Sequence, residues 1–400
     1  MINKITKNNI LSEINLVEEY YNTDPIALAV SGGPDSIAMM FLTSQSKKIK
    51  KENVTILTVD HDLRKDSRKE ANLVMQNAKK IGFKCKILKW KGLKPTSGIQ
   101  EAARRSRYDM MLSWCKENNV KKLFLAHHMD DQVETFLMRL SKGSGIDGLS
   151  SMSKKSNKEN INIIRPFLEI PKVKLVEIAN FSKMEWISDP SNSNLSYQRS
   201  RIRKLIPILS KEGIDSHHIN LAIKRMDSAK DTLVKITNRG ISKYVKNMED
   251  IAYSLSYEAI NELSSEILLR ILDRVIMVSS GSIYPPRRAK VESILSWLRS
   301  DSKVTAKTLS GTVIRKRKDY IIFYRELKSS QRSPNIYPLT NRYLSWDNRF
   351  CIKLNKSKKL EVRSLGDKGV KILKSKKILK KQGLNNLSLI HISEPTRQFR

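Results

Sequence analysis

Residues 26–36 read Ile-Ala-Leu-Ala-Val-Ser-Gly-Gly-Pro-Asp-Ser, a short apolar run followed by a glycine turn. The run at 26–30 predicts a buried β-strand, and the apolar pattern of 36–45 predicts a helix directly after the turn. Gly32 and Gly33 lack a Cβ and tolerate positive φ, so backbone N–H groups there can approach a bound anion closely. Strand, glycine turn and helix in this order predict an α/β fold with a phosphate-binding loop.

The other residues of this loop suit a nucleotide. Pro34 fits the first turn of a helix, where its missing N–H is no loss, and the helix end directs partial positive charge at the phosphates. Asp35 would repel phosphate, so we expect it to hold Mg²⁺. The loop lacks the GxxxxGK[ST] pattern, which excludes a Walker-type NTPase. We therefore predict ATP binding by Ser31, Gly32, Gly33, Pro34, Asp35 and Ser36.

Strand-like and helix-like segments alternate up to about residue 210. The predicted strands are 26–30, 54–60, 84–90 and 122–128. The predicted helices are 36–45, 66–81, 98–118 and 130–140. Repeated βα units favour a parallel, doubly wound sheet, whose ligands bind beyond the carboxyl ends of the strands. Polar clusters follow three strand ends and are expected to converge, at 31–36, 60–64 and 127–134.

The remaining segments follow other patterns. Residues 151–160 are polar and predict a flexible loop, whereas the apolar spacing from 215 to 300 predicts a small helical bundle. Residues 302–326 predict two short strands with a Ser310-Gly311 turn. We expect one domain at 1–212, a mainly helical domain with a short hairpin at 213–330, and part of a C-terminal domain at 331–386.

The last residues stand apart from the rest of the chain. Residues 387–397, Leu-Ser-Leu-Ile-His-Ile-Ser-Glu-Pro-Thr-Arg, resemble a translated transposon-end sequencing adapter. We expect 387–400 to be foreign and the natural C-terminus to be missing, so His391 is not a candidate ligand.

Composition limits the class of protein and its partners. The 400 residues carry a net charge of +35, which favours a polyanionic partner such as RNA or DNA, although a lysine-rich solvated surface would look the same. No apolar run approaches the ~20 residues that cross a bilayer, so we expect no membrane partner. The three cysteines form no CxxC pair, which fits a reducing cytoplasm. The oligomeric state stays open, a homodimer being one of the states the sequence allows.

A second cluster follows the strand at 122–128. Asp130, Asp131 and Glu134 fall within about one helical turn, where like charges repel. They are expected to attract a cation, either Mg²⁺ or a substrate ammonium. The alternative is an acidic, solvated helix start, which the helix dipole favours by itself. The preceding histidine pair suggests a transition-metal site, but no second cluster completes it.

These motifs occur together with several others in a fixed order. They are SGGPDS (31–36), VDHDLR (59–64), GIQEAARRSRY (98–108), LAHHMDDQVET (125–135), GSGIDGL (143–149), RPFLEI (165–170), SDPSN (188–192), RSRIR (199–203), YPPRRAK (284–290) and TLSGTVIRKRKDYIIFYRE (308–326). The set resembles the bacterial tRNA(Ile)-lysidine synthetases, which belong to the N-type ATP pyrophosphatases of the adenine nucleotide alpha-hydrolase-like fold. The likeness is close over 20–210 and looser beyond. Asp62 stands where the family commonly has glycine, and Ser200 where asparagine is usual.

The resemblance implies a ligase that uses ATP and Mg²⁺, with its catalytic domain at 1–212 and a tRNA-binding domain at 213–330. Such an enzyme adenylates C2 of the wobble cytidine of tRNA(Ile) with a CAU anticodon, and the ε-amine of free L-lysine then displaces AMP. The product, lysidine, changes the codon read from AUG to AUA. Asp35, Asp131 and Glu134 would be catalytic, with Asp131 and Glu134 orienting the lysine ammonium. Arg107 would hold the lysine carboxylate or the phosphates, and His61 would contact ATP; a surface salt bridge and a packing histidine are the alternatives.

Two basic segments are candidates for tRNA phosphates. Arg199, Arg201 and Arg203 recur at every second residue, which favours a loop or extended segment over a helix face. Arg315 and Arg317 belong to a second cluster. The alternative for both segments is that these side chains form a solvated basic surface with no bound RNA.

Rival functions remain open at this stage. One is another tRNA- or nucleotide-modifying ATP pyrophosphatase, but thiolation enzymes generally need cysteine pairs, which this chain lacks. The other is a catalytically dead basic RNA-binding protein, against which the acidic residues of both motifs are intact.

Overall fold

The computed structural model describes residues 7–62, 67–90, 99–187, 196–248 and 252–326, and four short strands beyond them. The chain forms two compact units, one ending at Lys230 and the other beginning at Asp231. This boundary lies within a long helix, later than the limit of 212 that the sequence suggested. The SDPSN motif and the tail at 387–400 lie outside the described residues.

A six-stranded sheet forms the centre of the first unit. Its strands are β1 (Ile26–Ala29), β2 (Val54–Asp60), β3 (Lys84–Lys89), β4 (Lys122–Leu125), β5 (Lys155–Lys158) and β6 (Ile161–Ile164). They lie in the order β3-β2-β1-β4-β6-β5, with every pair parallel except β5 and β6. The parallel sheet that the βα pattern predicted is therefore confirmed. Reversal of strand order between β1 and β4 places a ligand crevice at their carboxyl ends.

Helices cover this sheet. They are α1 (Lys7–Glu18), α2 (Pro34–Gln45), α3 (Ser67–Lys80), α4 (Ile99–Glu117), α5 (Met129–Leu140), α6 (Ile146–Leu149), α7 (Lys172–Phe181) and α8 (Gln198–Lys211), with a 3₁₀ turn at Lys51–Asn53. Alternate residues of β1 point to opposite faces. Leu28 packs in one core with residues of α1, α2, α3 and α7, whereas Ala27 packs in another with Met111 and Leu112 of α4. Both faces are buried, which explains the almost wholly apolar β1.

The predicted flexible loop at 151–160 is wrong in part. Residues 155–158 form β5, which pairs antiparallel with β6 through a two-residue turn. Both turn residues, Glu159 and Asn160, have positive φ, at 55° and 66°. Such turns match the twist of a hairpin. The polar sequence is typical of an edge strand, whose outer side faces water, and that polarity hid the strand from sequence analysis.

The second unit combines helices with a five-stranded antiparallel sheet. The elements are α9 (Ser216–Tyr244, which begins in the first unit), β7 (Val245–Met248), β8 (Ala252–Ser256), α10 (Tyr257–Glu262), α11 (Ser265–Ser280), α12 (Arg288–Arg299), β9 (Ala306–Leu309), β10 (Thr312–Lys316) and β11 (Tyr320–Arg325). The sheet order is β7-β8-β11-β10-β9. One sheet face packs on α11 and α12 around Leu268, Ile314 and Phe323.

The expectation of a helical bundle with one hairpin was therefore too simple. β7 and β8 were missed because they are short and lie between helices. β8 is extended because it pairs with β11, far along the chain, and β7 is extended because it pairs with β8. Four further strands, β12 (Tyr337–Leu339), β13 (Tyr343–Trp346), β14 (Phe350–Lys353) and β15 (Leu360–Val362), pair as β12 with β15 and β13 with β14. None of the helices in the described ranges is long and apolar enough to span a membrane.

Candidate functional site

The glycine loop connects β1 to α2 and is closed by its own hydrogen bonds. Ser31 N donates to Ser36 Oγ at 3.2 Å, and Ser36 Oγ donates to Gly33 O at 2.9 Å. Pro34 begins the helix, as predicted. Of the two glycines, only Gly32 uses its freedom, at φ 88°, whereas Gly33 has an ordinary φ of −72°. The Ser36 hydroxyl is thus engaged within the loop.

Gly32 is also restricted by packing. A Cβ placed on it would lie 3.1 Å from Ile187 Cδ1, and Ile187 N donates to Gly32 O at 2.9 Å. Strain and close contact therefore both require glycine at this position.

Asp35 is partly exposed at the start of α2. Its Oδ1 is buried and has no hydrogen-bond partner among the described residues, while Oδ2 lies 3.5 Å from His128 Nε2. A buried carboxylate oxygen without a donor fits a magnesium ligand, because Mg²⁺ binds carboxylates together with substrate phosphates. The described residues contain no cluster of three or more metal-ligating side chains. Asp35 fits a metal that is held largely by the nucleotide.

His128 lies among three carboxylates at the start of α5. Its ring is 3.5 Å from Asp35, 3.6 Å from Asp130 and 3.5 Å from Asp131, and the side chain is 3% exposed. Burial lowers the pKa of His128, but hydrogen bonds to Asp130 and Asp35 and the charge of Asp131 outweigh it and raise the pKa to about 10. His128 Nδ1 also lies 3.4 Å from Asp131 N. The three carboxylates favour the protonated ring, in which Nδ1 donates to Asp130 and does not accept from that N–H.

The neighbouring His127 is in the opposite state. Burial lowers its pKa to about 3; Asp131 opposes this shift, and the arginines Arg165, Arg104 and Arg199 add to it. Its Nδ1 is buried with no hydrogen-bond partner in the described part of the chain. From the sequence, His127 and His128 were considered only as an incomplete metal site. Their position just after β4 was the feature that could have indicated a role at the ligand site.

Glu134 is 1% exposed and bound by two arginines. Arg203 Nε donates to its Oε1, and Arg199 Nε lies 3.0 Å from Oε2. Burial raises the pKa of Glu134, and the Arg203 contact opposes that rise. Burial also raises the pKa of Asp131, but the positive charges of His128 and Arg199 and the hydrogen bond that His128 N donates to Asp131 Oδ2 outweigh it and lower that pKa overall. Every acidic group of α5 therefore has a cationic neighbour before any substrate binds.

The expectation that 199–203 is a loop or extended segment was wrong. These residues lie in α8, where positions four apart share one face. Arg199 and Arg203 therefore both reach Glu134. Arg201 points elsewhere and donates to Ser196 O at 2.9 Å. The prediction failed because it required all three arginines to share one face. Only Arg199 and Arg203, four residues apart, contact Glu134, and a helix allows that.

A cavity of about 280 Å³ lies at the carboxyl end of the parallel sheet. Predicted site residues line it, namely Ser31, Asp35, Ser36, His61 and Arg107, together with His127, Arg104 and Tyr108. Apolar walls come from strand and helix residues, including Leu57, Val59, Met111 and Leu125. The His61 ring meets Trp90 edge-on at 6.0 Å. The apolar wall suits the base of a nucleotide, and the serines, the arginines and the Asp35 carboxylate suit its phosphates and their Mg²⁺.

The second basic segment lies on β10 in the second unit. Arg315 and Val313 share a face of the sheet, Val313 packing with Ile322 and Tyr324 on the side away from α11 and α12. Arg317 follows the strand and is exposed. Lys316 faces the other way, with Nζ 5.2 Å from the Trp297 ring centre. The side chain of Lys316 therefore lies on the opposite face of the sheet from that of Arg315.

Comparison with known proteins extends these observations. Residues 5–209 match the family of PP-loop domains. The tRNA(Ile)-lysidine synthase of Wolbachia pipientis wMel is 40% identical over 335 residues, covering 83% of this chain and 77% of the relative. The tRNA(Ile)-lysidine synthase of Rhodopseudomonas palustris is 34% identical over 303 residues, covering 72% of this chain and 87% of the relative. A solved U34-tRNA thiolase, NcsA from Methanococcus maripaludis, covers 55% of this chain and 80% of its own at 19% identity and a TM-score of 0.48.

Proposed function

The chain belongs to the tRNA(Ile)-lysidine synthase family, and on that premise we propose that it joins free L-lysine to C2 of the wobble cytidine in tRNA(Ile) with a CAU anticodon. ATP supplies the activation, and AMP and diphosphate leave. The product base is lysidine, which moves codon reading from AUG to AUA. We place this work in the cytoplasm, where tRNA, lysine and ATP meet.

One observation carries the first step. Asp35 lines the cavity of about 280 Å³, and its buried Oδ1 has no hydrogen-bond partner among the described residues. In the proposed reaction the C2 oxygen of cytidine attacks the α-phosphorus, and the bond to diphosphate breaks. Mg²⁺ held by Asp35 would neutralise the phosphate charge. The loop amides and the start of α2 orient the phosphates, while Arg107 and His61 contact the nucleotide from the cavity wall.

The second step needs a group that receives the amine. Lysine Nζ attacks C2, the C2–O bond breaks, and AMP departs with that oxygen. Asp131 is our first candidate to bind the ammonium and accept its proton, because it is an ionised carboxylate whose side chain is 14% exposed. Glu134 can join it only by releasing Arg199 or Arg203. Arg107 is a candidate for the lysine carboxylate as well.

Basic residues of both units are the candidates for binding tRNA phosphates. Arg199 and Arg203 are engaged with Glu134, so within α8 the exposed Arg201 is the better phosphate contact. We assign Arg315 and Arg317 the same task in the second unit. These contacts would position the RNA without reading its sequence.

A reconstituted reaction tests the proposal. The protein is incubated with ATP, Mg²⁺, lysine and tRNA(Ile) with a CAU anticodon, and the digested nucleosides are analysed by mass. A cytidine–lysine adduct is expected only when all components are present. An adduct of another amine or sulfur would instead indicate a different modifying enzyme, and no product at all would indicate a binding protein.

The Asp35 role is tested in the same assay. Asp35→Ala should lower diphosphate release by about 100-fold or more, because the metal loses its protein ligand. Asp24→Ala removes an exposed carboxylate of the same unit and should leave the rate unchanged. Retained diphosphate release in Asp35→Ala would remove the magnesium assignment.

A further inference from the structure

His127 and His128 are adjacent but face different surroundings. The ring nitrogens of His128 lie within 3.6 Å of the carboxylates of Asp35, Asp130 and Asp131. His127 lines the cavity beside the glycine loop, and none of the described residues hydrogen-bonds its buried Nδ1. His128 therefore has clear partners in the folded chain, whereas the described residues show none for the Nδ1 atom of His127.

A buried ring nitrogen without a partner needs a physical reason. Native structures satisfy nearly all such groups, since desolvation without a hydrogen bond is costly. A ligand that supplies the missing partner removes the cost when it binds. His127 is also held neutral, because burial and Arg165, Arg104 and Arg199 oppose protonation. A neutral imidazole carries one N–H donor and one acceptor nitrogen, so it can bind a polar atom without adding charge.

The lining of the cavity identifies the ligand chemistry. Ser31 and Asp35 come from the phosphate loop, Arg104 and Arg107 supply positive charge, and Leu57 and Met111 supply an apolar wall. A molecule with phosphate oxygens and a flat apolar ring satisfies all three features. The apolar side chains offer such a molecule no hydrogen bonds, whereas His127 is an uncharged polar ring that lines the same cavity.

We propose that the imidazole of His127 is a nucleotide-binding group that hydrogen-bonds ATP, and then the adenylate, in this cavity. The inference rests on the proposed function only in that ATP is the nucleotide; it does not depend on which base is modified. His127 touches the cofactor and acts by binding, not by proton transfer.

Direct ATP binding tests this. The full chain is titrated with α,β-methylene ATP and Mg²⁺, without tRNA or lysine, so the result is independent of the modified base. His127→Ala should weaken binding by roughly tenfold or more, the effect of losing one hydrogen bond to a charged ligand. His127→Asn or His127→Gln should restore binding to within about threefold, because an amide nitrogen replaces one ring nitrogen. His217→Asn, at an exposed histidine, is the matched control.

The outcomes separate cleanly. Weak binding by the alanine variant with rescue by an amide, at an unchanged melting temperature, supports the proposal. Binding by His127→Ala within about twofold of the wild type overturns it, as does failure of both amides to rescue a folded protein. Wild-type lysine incorporation, assayed separately, tests the proposed function, so each idea can fail alone.

Discussion

His128 Nε2 lies 3.5 Å from Asp35 Oδ2, which links the residue just before α5 to the first turn of α2. The two residues come from neighbouring parallel strands and meet where both strands end. The contact joins a buried cation to the proposed magnesium ligand. It therefore fixes the Asp35 carboxylate before the nucleotide arrives.

The charge of His128 predicts a pH-dependent stability. Folding raises the pKa of His128 from 6.5 to about 10, so the folded chain binds the proton more tightly than the unfolded chain. The stability that protonated His128 contributes is fully present below about pH 6.5 and is lost as the pH rises through about 10. In denaturant unfolding without Mg²⁺ or nucleotide, the advantage of the wild type over His128→Gln should shrink between pH 7 and pH 10. A constant difference across that range would mean that His128 is not charged.

The two glycines of the loop should differ in tolerance. Gly32→Ala should destabilise the protein by about 1–2 kcal/mol, because an L-residue is strained at positive φ. The contact with Ile187 adds to this cost. Gly33→Ala is the matched control, with an ordinary φ and only Ser31 Oγ near, at 3.7 Å from its Cβ. Unfolding in denaturant measures both, and equal losses would contradict the assigned backbone geometry.

The Glu134 cluster should contribute strongly to stability. Glu134→Gln leaves Arg199 and Arg203 without their counter-charge and should cost about 2 kcal/mol or more, a figure kept low because both arginines are about a third exposed. Thermal melting measures the loss. Glu292→Gln breaks an exposed pair with Arg288 and should cost less than about 1 kcal/mol. Similar shifts in the two variants would show that burial adds nothing at Glu134.

Neutralising Arg315 and Arg317 should weaken tRNA binding. If each contacts one phosphate, the slope of log affinity against log salt should flatten by about 1–2 in the double alanine variant. Lys47→Ala with Lys50→Ala removes the same charge from exposed positions of the first unit and should leave the slope nearer to that of the wild type. An unchanged slope in the arginine variant, measured by filter binding over a salt series, would refute the assignment.

Sequence alone predicted the parallel sheet and the edge of that sheet where its polar clusters converge. Periodicity is a local property, so the apolar run of β1 and the glycines after it were enough to predict strand, turn and helix. Because parallel strands end at one edge, the clusters after β1 and β4 could be expected to meet. The polar β5 and the short β7 and β8 could not be predicted, since their extended conformation comes from pairing with other strands.

Tertiary structure decided the state of each charged group. The family resemblance predicted Asp35, Asp131 and Glu134 as the catalytic carboxylates, and the fold gave them different partners: a histidine for Asp35 and Asp131, two arginines for Glu134. It also left His127 neutral and His128 charged, although the two are chemically identical and adjacent. Ionisation depends on burial and on charges brought close in space. A linear sequence names these groups but does not contain the distances between them.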